Sequence, residues 1–184
     1  SIDYSHSSGF YAGLWGSNVD FGDCCDESVE VDLYVGFSGG EELVWDVGVN
    51  YYSYPGGDDL DFGEIYASLG YKWIEGKIWY SDDFGNYGKS AMYYEANAAF
   101  ELPYNLGLDG HLGYSDGSGI EAAYGQGDYI DWSIGLTYTY SHFDFGIKWV
   151  DGSDLETYDG TVDDVLSSEA RAIFSIATAF PWTD

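Results

Sequence analysis

The side chains that could act as a nucleophile, acid or base are few, and His111 is the most informative of them. His111 stands in the segment DGHLGY, two residues after Asp109, so both side chains point to the same face of an extended strand. Ser115 lies four residues further on, about 13 Å along a strand, which is too far for a hydrogen-bonded triad. A contact between His111 and Asp109 is compatible with this spacing, but catalysis is not supported. We predict that the chain is not an enzyme and has no catalytic residues.

Acidic residues are concentrated in glycine-rich stretches typical of loops: GDCCDE, GGDDLD, DGSD and YDGTVDD. Carboxylate oxygens are the ligands that Ca²⁺ prefers, although no stretch has the EF-hand spacing. The alternatives are loops that are simply solvated, or loops bridged loosely by divalent cations to lipopolysaccharide phosphates. No cofactor other than such a cation is predicted. The acidic residues best suited as Ca²⁺ ligands are Asp58, Asp59, Asp61, Asp151, Asp154 and Asp159.

The two cysteines, Cys24 and Cys25, are adjacent in one of these acidic stretches. Outside the cell cysteines tend to be oxidised. A disulfide between neighbouring residues forms a strained ring, so pairing between two chains is the alternative. The pair is too isolated from other ligands for a zinc site.

Strands must position these side chains, and the clearest is YIDWSIGLTYTY, from Tyr129 to Tyr140. Its apolar residues alternate strictly with small or polar ones, which is the pattern of a strand with two different faces. A span of about 9–11 tilted residues crosses a bilayer. The same pattern predicts eleven strands: Ser1–His6, Gly9–Val19, Ser28–Ser38, Glu42–Tyr54, Gly63–Ile74, Lys77–Asp82, Ala91–Leu102, Asn105–Ser115, Tyr129–Tyr140, His142–Val150 and Ser168–Phe180.

The connections between these strands alternate in length without exception. Short turns are predicted at Ser7–Ser8, Gly39–Glu41, Glu75–Gly76, Pro103–Tyr104 and Ser141, and long loops at Asp20–Glu27, Pro55–Phe62, Asp83–Ser90, Asp116–Asp128 and Asp151–Ser167. Tight turns at one end and long loops at the other are typical of bacterial outer-membrane barrels. A soluble β-sandwich also alternates along its strands but has no reason to segregate its loops in this way.

The composition excludes other classes of protein. The 184 residues carry 33 acidic and five basic side chains, a net charge of −28, which argues against nucleic-acid binding. Aromatic residues make up 20 % of the chain, which argues against disorder. No apolar run is long enough for a transmembrane helix.

The predicted fold is therefore all-β, a transmembrane antiparallel up-and-down barrel in the bacterial outer membrane, formed by residues 1–184 as one domain. Barrels of this kind have an even number of strands. We expect about twelve, one of them preceding Ser1, and hence no hydrogen bonds between Ser1–His6 and Ala170–Phe180 and a native mass above 20.3 kDa.

The polar strand faces are expected to line the lumen. The predicted lumen-lining residues are Glu30, Asp32, Asp46, Glu64, Lys72, Glu95, Asp109, His111, Asp131, Asp144, Lys148 and Arg171. One interpretation is a pore that prefers cations. The other is a filled interior in which Lys72, Lys148 and Arg171 neutralise carboxylates, since unpaired buried acids are costly. Lipid is expected against Trp45, Val47, Leu69, Trp132, Ile134, Leu136 and Ile147.

Several segments resemble a proteobacterial family labelled Gcw_chp: DYSHSSGFYAGLWGSNVDFGD, VEVDLYVGFSG, DVGVNYYSYPG, DYIDWSIGLTY and FDFGIKWVD. The resemblance implies an outer-membrane β-barrel with no established activity, and a further strand and loop before the region matching Ser1. It supplies no catalytic residues. The chain departs from the family in lacking cysteines in its last long loop and in ending with PWTD after Phe180.

Two functions are compatible with these observations. The first is a passive channel for small solutes or cations through an acidic lumen. The second is a structural or interaction protein with a plugged lumen, whose acidic loops serve assembly or surface packing. The expected partners are membrane lipid and lipopolysaccharide, with homo-oligomers as a further option.

Overall fold

A computed structural model describes residues 1–19, 28–56, 60–153 and 170–179. Its eleven strands are β1 (Ile2–Ser5), β2 (Phe10–Asn18), β3 (Val29–Gly39), β4 (Leu43–Ser53), β5 (Phe62–Tyr71), β6 (Ile74–Ser81), β7 (Ala91–Leu102), β8 (Leu106–Asp116), β9 (Asp128–Tyr140), β10 (Phe143–Gly152) and β11 (Arg171–Ala177). The eleven predicted strands are thus confirmed, with ends that differ by a few residues.

The strands form one antiparallel sheet in which each strand pairs only with its neighbours in sequence, from β1 to β11. The predicted up-and-down order is therefore confirmed, and odd and even connections leave opposite ends of the sheet. Within the described ranges β1 pairs only with β2 and β11 only with β10. The sheet is thus not closed into a barrel. This agrees with the expectation that Ser1–His6 and Ala170–Phe180 do not hydrogen-bond to each other. Phe180 lies outside the described residues.

The pairing register separates the side chains into an apolar face and a polar face. On the apolar face Leu33 lies opposite Tyr51, Leu69 opposite Trp45, and Leu136 opposite Ile147. The polar face carries the alternate residues, so that Asp46 lies opposite Ser68 and Lys148 opposite Gly135. Because side chains alternate along every strand, these pairs fix both faces across the sheet.

None of the residues that the structure describes forms a second layer on the apolar face. Only Tyr66, Ala91 and Ile120 are buried hydrophobic residues in the described part of the chain. By contrast, Leu33 is 48 % exposed, Leu112 56 % and Ile134 51 %. A water-soluble sheet would bury such residues in a core, so this sheet exposes the surface that other β-proteins cover.

The turn between β5 and β6 differs from its prediction. It is formed by Lys72 and Trp73, with Lys72 at φ +55°, whereas Glu75 and Gly76 lie within β6. A turn at Glu75–Gly76 would place Ile74 on the polar face. The observed turn instead places Ile74 opposite Tyr71 on the apolar face. Continuity of the hydrophobic pattern therefore outweighed the local glycine signal.

Two short helical segments lie in the long connections. A one-turn 3₁₀ helix spans Phe84–Asn86, and the helix α1 spans Ser118–Tyr124 and ends at Gly125 in the left-handed conformation. The sequence analysis predicted loops in both places. No helix in the described ranges has the length and hydrophobicity needed to cross a membrane.

Candidate functional site on the polar face

Eleven of the twelve residues predicted to line the lumen lie on the polar face. The register places them there together: Glu30, Asp32, Asp46, Glu64, Glu95, Asp109, His111, Asp131, Asp144, Lys148 and Arg171. The twelfth, Lys72, lies in the β5–β6 turn, where its ammonium group stands 4.9 Å from the centre of the Tyr71 ring. Lys77, which was not predicted, is the cation that β6 contributes to the polar face.

His111 lies at the centre of a group of five residues, the His111 cluster, formed with Tyr93, Glu95, Asn97 and Asp131. His111 Nε2 is 2.9 Å from Asp131 Oδ1 and also 2.9 Å from the Tyr93 hydroxyl. His111 Nδ1 is 2.7 Å from Asn97 Oδ1, and Asn97 Nδ2 donates to Glu95 Oε2 at 3.0 Å. Three adjacent strands, β7, β8 and β9, therefore contribute to one network.

The contact considered between His111 and Asp109 is replaced by two others. Asp109 forms an ion pair with Lys148, in which Oδ2 lies 2.8 Å from Nζ. His111 instead contacts the carboxylate of Asp131 on the next strand. The partners of His111 in the described part of the chain are the acids Glu95 and Asp131, the amide of Asn97 and the phenol of Tyr93. These contacts form a polar network that joins His111 to the side chains of three strands.

A second group, the Lys77 cluster, lies on the neighbouring strands and consists of Tyr11, Asp46, Tyr66, Lys77 and Trp79. The Lys77 ammonium stands 4.0 Å from the centre of the Tyr66 ring and 3.9 Å from Trp79, a cation–π arrangement. The Tyr11 hydroxyl donates to Asp46 Oδ1 at 2.6 Å and contacts the Tyr66 hydroxyl.

The two clusters are joined, because Trp79 Nε1 donates to Glu95 Oε1 at 2.7 Å. Side chains from β2 and from each strand between β4 and β9 are therefore connected by hydrogen bonds and cation–π contacts. Burying a polar group is costly only where it lacks a hydrogen-bond partner. Most groups of this network are paired with one another, so their burial costs little.

Glycines on the polar face allow the tyrosines to lie flat. A Cβ at Gly48 would come within 2.5 Å of the Tyr66 hydroxyl, and one at Gly36 within 2.3 Å of the Tyr11 hydroxyl. A Cβ at Gly113 would come within 2.2 Å of the Tyr93 hydroxyl. Each tyrosine thus covers a glycine on an adjacent strand, which explains part of the high glycine content.

A third group, the loop-end cluster, lies at the long-loop end of the polar face and contains Tyr52, Phe62, Phe84, Tyr124 and Tyr129. Tyr52 stacks on Phe62 at 4.7 Å between ring centres, and Phe62 meets Phe84 edge-on at 5.1 Å. Tyr124 of α1 meets Tyr129 of β9 edge-on at 5.7 Å. Burial raises the pKa of Tyr124 to about 12.

The helix α1 is held against this end of the sheet by backbone contacts. Gly119 N donates to Ser90 O at 2.8 Å, and a Cβ at Gly119 would come within 2.9 Å of Phe84 Cβ. Ile120 is 3 % exposed. The helix therefore packs onto the loop that precedes β7 and carries Tyr124 with it.

Two cavities open on the polar face. One, of about 810 Å³, lies toward the short turns and is lined by charged groups that include Glu42, Glu75, Asp109 and Lys148. The other, of about 440 Å³, lies beside the Lys77 cluster and is lined by Tyr11, Trp15, Asp32, Tyr34, Asp46, Asn50, Tyr66, Trp79 and Ser1.

Four of the six residues considered as Ca²⁺ ligands lie outside the described ranges: Asp58, Asp59, Asp154 and Asp159. The two cysteines, Cys24 and Cys25, lie outside them as well. Asp61 accepts bonds from Tyr54 N at 2.7 Å, Ser53 Oγ at 3.0 Å and the Tyr51 hydroxyl at 3.1 Å. Partial burial raises the pKa of Asp61, but these bonds outweigh burial and lower it overall.

Asp151 lies far from Asp61 along the sheet, on β10, and its Oδ1 accepts a bond from Gly152 N at 2.9 Å. The described ranges hold no group of three or more His, Cys, Asp or Glu residues arranged for a metal ion.

The fold is similar to that of a porin whose structure was refined at 1.8 Å resolution. The TM-score is 0.50 at 12 % sequence identity, and the match covers 94 % of this chain and 58 % of the porin chain. At this identity the likeness concerns the fold alone. No curated protein matches the sequence. Residues 1–180 match the family described as "bacterial protein of unknown function (Gcw_chp)", and the chain belongs to that family.

Proposed function

We propose that the protein is an outer-membrane β-barrel that acts as a passive channel for small solutes or cations. The observation that carries the proposal is the apolar face, which runs across all eleven strands and on which most of the large side chains are exposed. Lipid, unlike water, stabilises such a surface, and transmembrane barrels present one to the bilayer. The porin fold supports the same conclusion independently.

The aromatic residues of this face support a membrane position. Near the short turns Phe10 contacts Phe37 at 5.2 Å between ring centres, and Trp73 contacts Phe100 at 4.8 Å. Near the long loops Tyr94 stacks with Tyr114 at 6.4 Å. Aliphatic residues such as Val47 and Leu136 lie between the two ends. Aromatic girdles at both interfaces are typical of membrane barrels.

A barrel must also be closed, because lipid offers no partner for free backbone groups. β1 and β11 run in the same direction, since ten antiparallel pairings separate them. We place one further antiparallel strand between them, which gives a barrel of twelve. Lipid then contacts the apolar face, while the acidic loops meet lipopolysaccharide through divalent cations and allow contacts between copies.

The polar face favours cations over anions in the lumen. It carries Glu30, Asp32, Glu64, Glu95 and Asp131 among its acids, against few basic groups. Lys148 is paired with Asp109, so this cation does not offset the remaining acids. A ring of carboxylates in a narrow pore attracts cations and repels anions.

Planar-bilayer recording of the refolded protein tests the channel. A salt gradient across the bilayer should give a reversal potential of the sign expected for cation selectivity. The double variant Glu95→Gln/Asp131→Asn should reduce that potential, whereas Asp82→Asn, which neutralises an exposed acid outside the polar face, should change it little. Folded protein that conducts no ions, or conducts anions preferentially, would contradict the channel.

The second candidate is a barrel with a plugged lumen that serves assembly at the cell surface. The loop-end cluster favours it, because α1 brings Tyr124 onto the end of the polar face and buries Ile120 there. The network that joins the Lys77 and His111 clusters favours it as well, because its side chains fill part of the polar face. Absence of conductance in a protein shown to be folded by circular dichroism would support this candidate.

A further inference from the structure

Both ring nitrogens of His111 lie beside oxygen atoms. Nε2 is 2.9 Å from Oδ1 of Asp131, and Nδ1 is 2.7 Å from Oδ1 of Asn97. The Asn97 amide is oriented by Glu95, because Asn97 Nδ2 donates to that carboxylate and its oxygen is left toward His111. A ring nitrogen without a hydrogen is itself an acceptor and cannot bond to an oxygen of this kind. Both contacts are therefore hydrogen bonds only when His111 is the positively charged imidazolium, with a hydrogen on each nitrogen.

The Tyr93 hydroxyl cannot take the place of the second ring hydrogen. It lies 2.9 Å from His111 Nε2 and 3.2 Å from Oδ2 of Asp131. If it donated to a neutral Nε2, that nitrogen and Oδ1 of Asp131 would be two acceptors facing each other at 2.9 Å. With the imidazolium, Nε2 and the Tyr93 hydroxyl both donate to the Asp131 carboxylate, so each of these groups has a partner.

The His111 ring is accessible from the space above the polar face. Its side chain is 22 % exposed, and that of Asp131 is 37 % exposed. His111 also lines the cavity of about 810 Å³ toward the short turns, together with Asn97 and Ser133. Water in this cavity can therefore deliver and remove a proton, and the charge of the ring changes on the face assigned to the lumen.

The titratable and charged groups around His111 on the polar face come from five strands. They are Glu75 and Lys77 of β6, Tyr93 and Glu95 of β7, Asp109 of β8, Asp131 of β9 and Lys148 of β10. Lys148 is paired with Asp109, and Lys77 stands over two aromatic rings. The carboxylates in contact with the His111 ring are those of Asp131 at 2.9 Å and Glu95 at 3.7 Å. With these two acids, a protonated His111 forms a group with one net negative charge, and a neutral His111 forms a group with two.

We propose that His111 determines the cation selectivity of the channel through a proton that its ring binds and releases. This deepens the proposed function and rests on it. In acidic solution the imidazolium offsets one carboxylate, so the lumen attracts cations less strongly. Loss of the proton adds a negative charge to the wall of the lumen and breaks one hydrogen bond of the ring, so cation selectivity increases.

Planar-bilayer recording under a salt gradient, repeated from about pH 5 to 8, tests the proposal. The reversal potential of the unmodified protein should shift toward stronger cation selectivity as the pH rises. His111→Gln, which is neutral at every pH, should lose most of this shift. His111→Lys, which stays positive over the whole range, should remain weakly selective. His6→Gln is the matched control and should retain the shift, because the His6 ring is exposed between β1 and β2 and contacts Ser8.

Nuclear magnetic resonance of the refolded protein labelled with ¹⁵N-histidine gives a second readout that does not depend on conduction. The ring resonances of His111 are identified by their absence from His111→Gln or His111→Lys. Both nitrogens should be protonated at the acidic end of the range, and one should lose its hydrogen with the same midpoint as the shift in selectivity.

The outcomes separate this role of His111 from the channel itself. A conducting protein whose His111 ring keeps one protonation state over the range, or whose selectivity shift persists in His111→Gln, would overturn the role of His111 alone. Different midpoints in the two measurements on the unmodified protein would overturn it as well, and this comparison holds even if His111→Gln does not fold. Folded protein that conducts no ions at any pH would overturn the channel, and the role of His111 with it.

Discussion

At the scale of single residues, the contact between a tyrosine and a glycine on the neighbouring strand leaves no room for an added methyl group. Gly48→Ala should destabilise the protein by about 1–3 kcal/mol, because the new methyl group would meet the Tyr66 hydroxyl at 2.5 Å and Val35 O at 2.7 Å. The midpoint of urea unfolding in detergent measures this loss.

Gly63→Ala provides the control for this prediction. Its added Cβ would meet no atom closer than 3.7 Å, at Asn50 O. It should therefore leave the unfolding midpoint almost unchanged. Equal effects of the two substitutions would mean that the flat packing of Tyr66 does not matter for stability.

Tyr124 makes the docking of α1 sensitive to alkaline pH. Because burial raises its pKa from 10.0 to about 12, the packed state favours the neutral phenol. The stability that this adds is complete below pH 10 and is lost as the pH rises through about 12. In protein labelled with ζ-¹³C-tyrosine, the resonance absent from Tyr124→Phe should titrate near pH 12. A midpoint near 10 would indicate that Tyr124 is not packed as described.

The individual contacts of the site were less predictable than its residues. Alternation along a strand indicated that His111 and Asp131 share a face, but it cannot tell which residues of two strands lie opposite each other. That depends on the pairing register, which brings Asp131 rather than Asp109 to His111. Tyr93, Asn97 and Lys77 were missed, although alternation with the apolar residues of their own strands could have placed them on the polar face.

At the scale of strands and helices, the two faces of the sheet should differ in how well they tolerate a charged side chain. Leu136→Arg should cost about 2–4 kcal/mol in a bilayer, because Leu136 lies in the middle of β9 on the apolar face. Equilibrium refolding into lipid vesicles measures the difference.

Thr137→Arg is the matched control, because the adjacent side chain points to the polar face. It should be tolerated considerably better than Leu136→Arg. If both variants refold equally well, the apolar face is not the one in contact with lipid.

The strands could be predicted because their signal is local. In a strand with one apolar face, apolar and polar residues alternate along the sequence of that strand alone. In β9 this alternation extends over nearly the whole strand. The β5–β6 turn could not be predicted from Glu75 and Gly76, since its position is fixed by the faces of two strands together. The helix α1 was missed because seven residues within a loop carry no clear period, and its position depends on packing against Phe84.

At the scale of the whole molecule, the two edges of the sheet determine how a barrel can close. With a twelfth strand between β1 and β11, cysteines on these strands should not be in contact. In protein with Cys24→Ser and Cys25→Ser, we expect no disulfide between Tyr4→Cys and Ala172→Cys, Phe174→Cys or Ile176→Cys. The measurement is gel mobility of the membrane-inserted protein after oxidation, with and without reductant.

Tyr4→Cys combined with Ala12→Cys is the positive control, because these residues face each other in the β1–β2 ladder. This pair should form a disulfide readily. An equally efficient disulfide between β1 and β11 would show that the two edges pair directly and that eleven strands close the barrel.

Pairing of every strand with its sequence neighbours alone has a consequence for how such a protein can change over time. Because no ladder among the described strands joins strands that are distant in the chain, duplicating or deleting a hairpin would leave the other ladders intact. Only the number of strands in the sheet would change, by two for each hairpin gained or lost. A gene encoding this architecture can therefore lengthen or shorten in units of one hairpin while each remaining tyrosine–glycine contact between neighbouring strands is inherited unaltered.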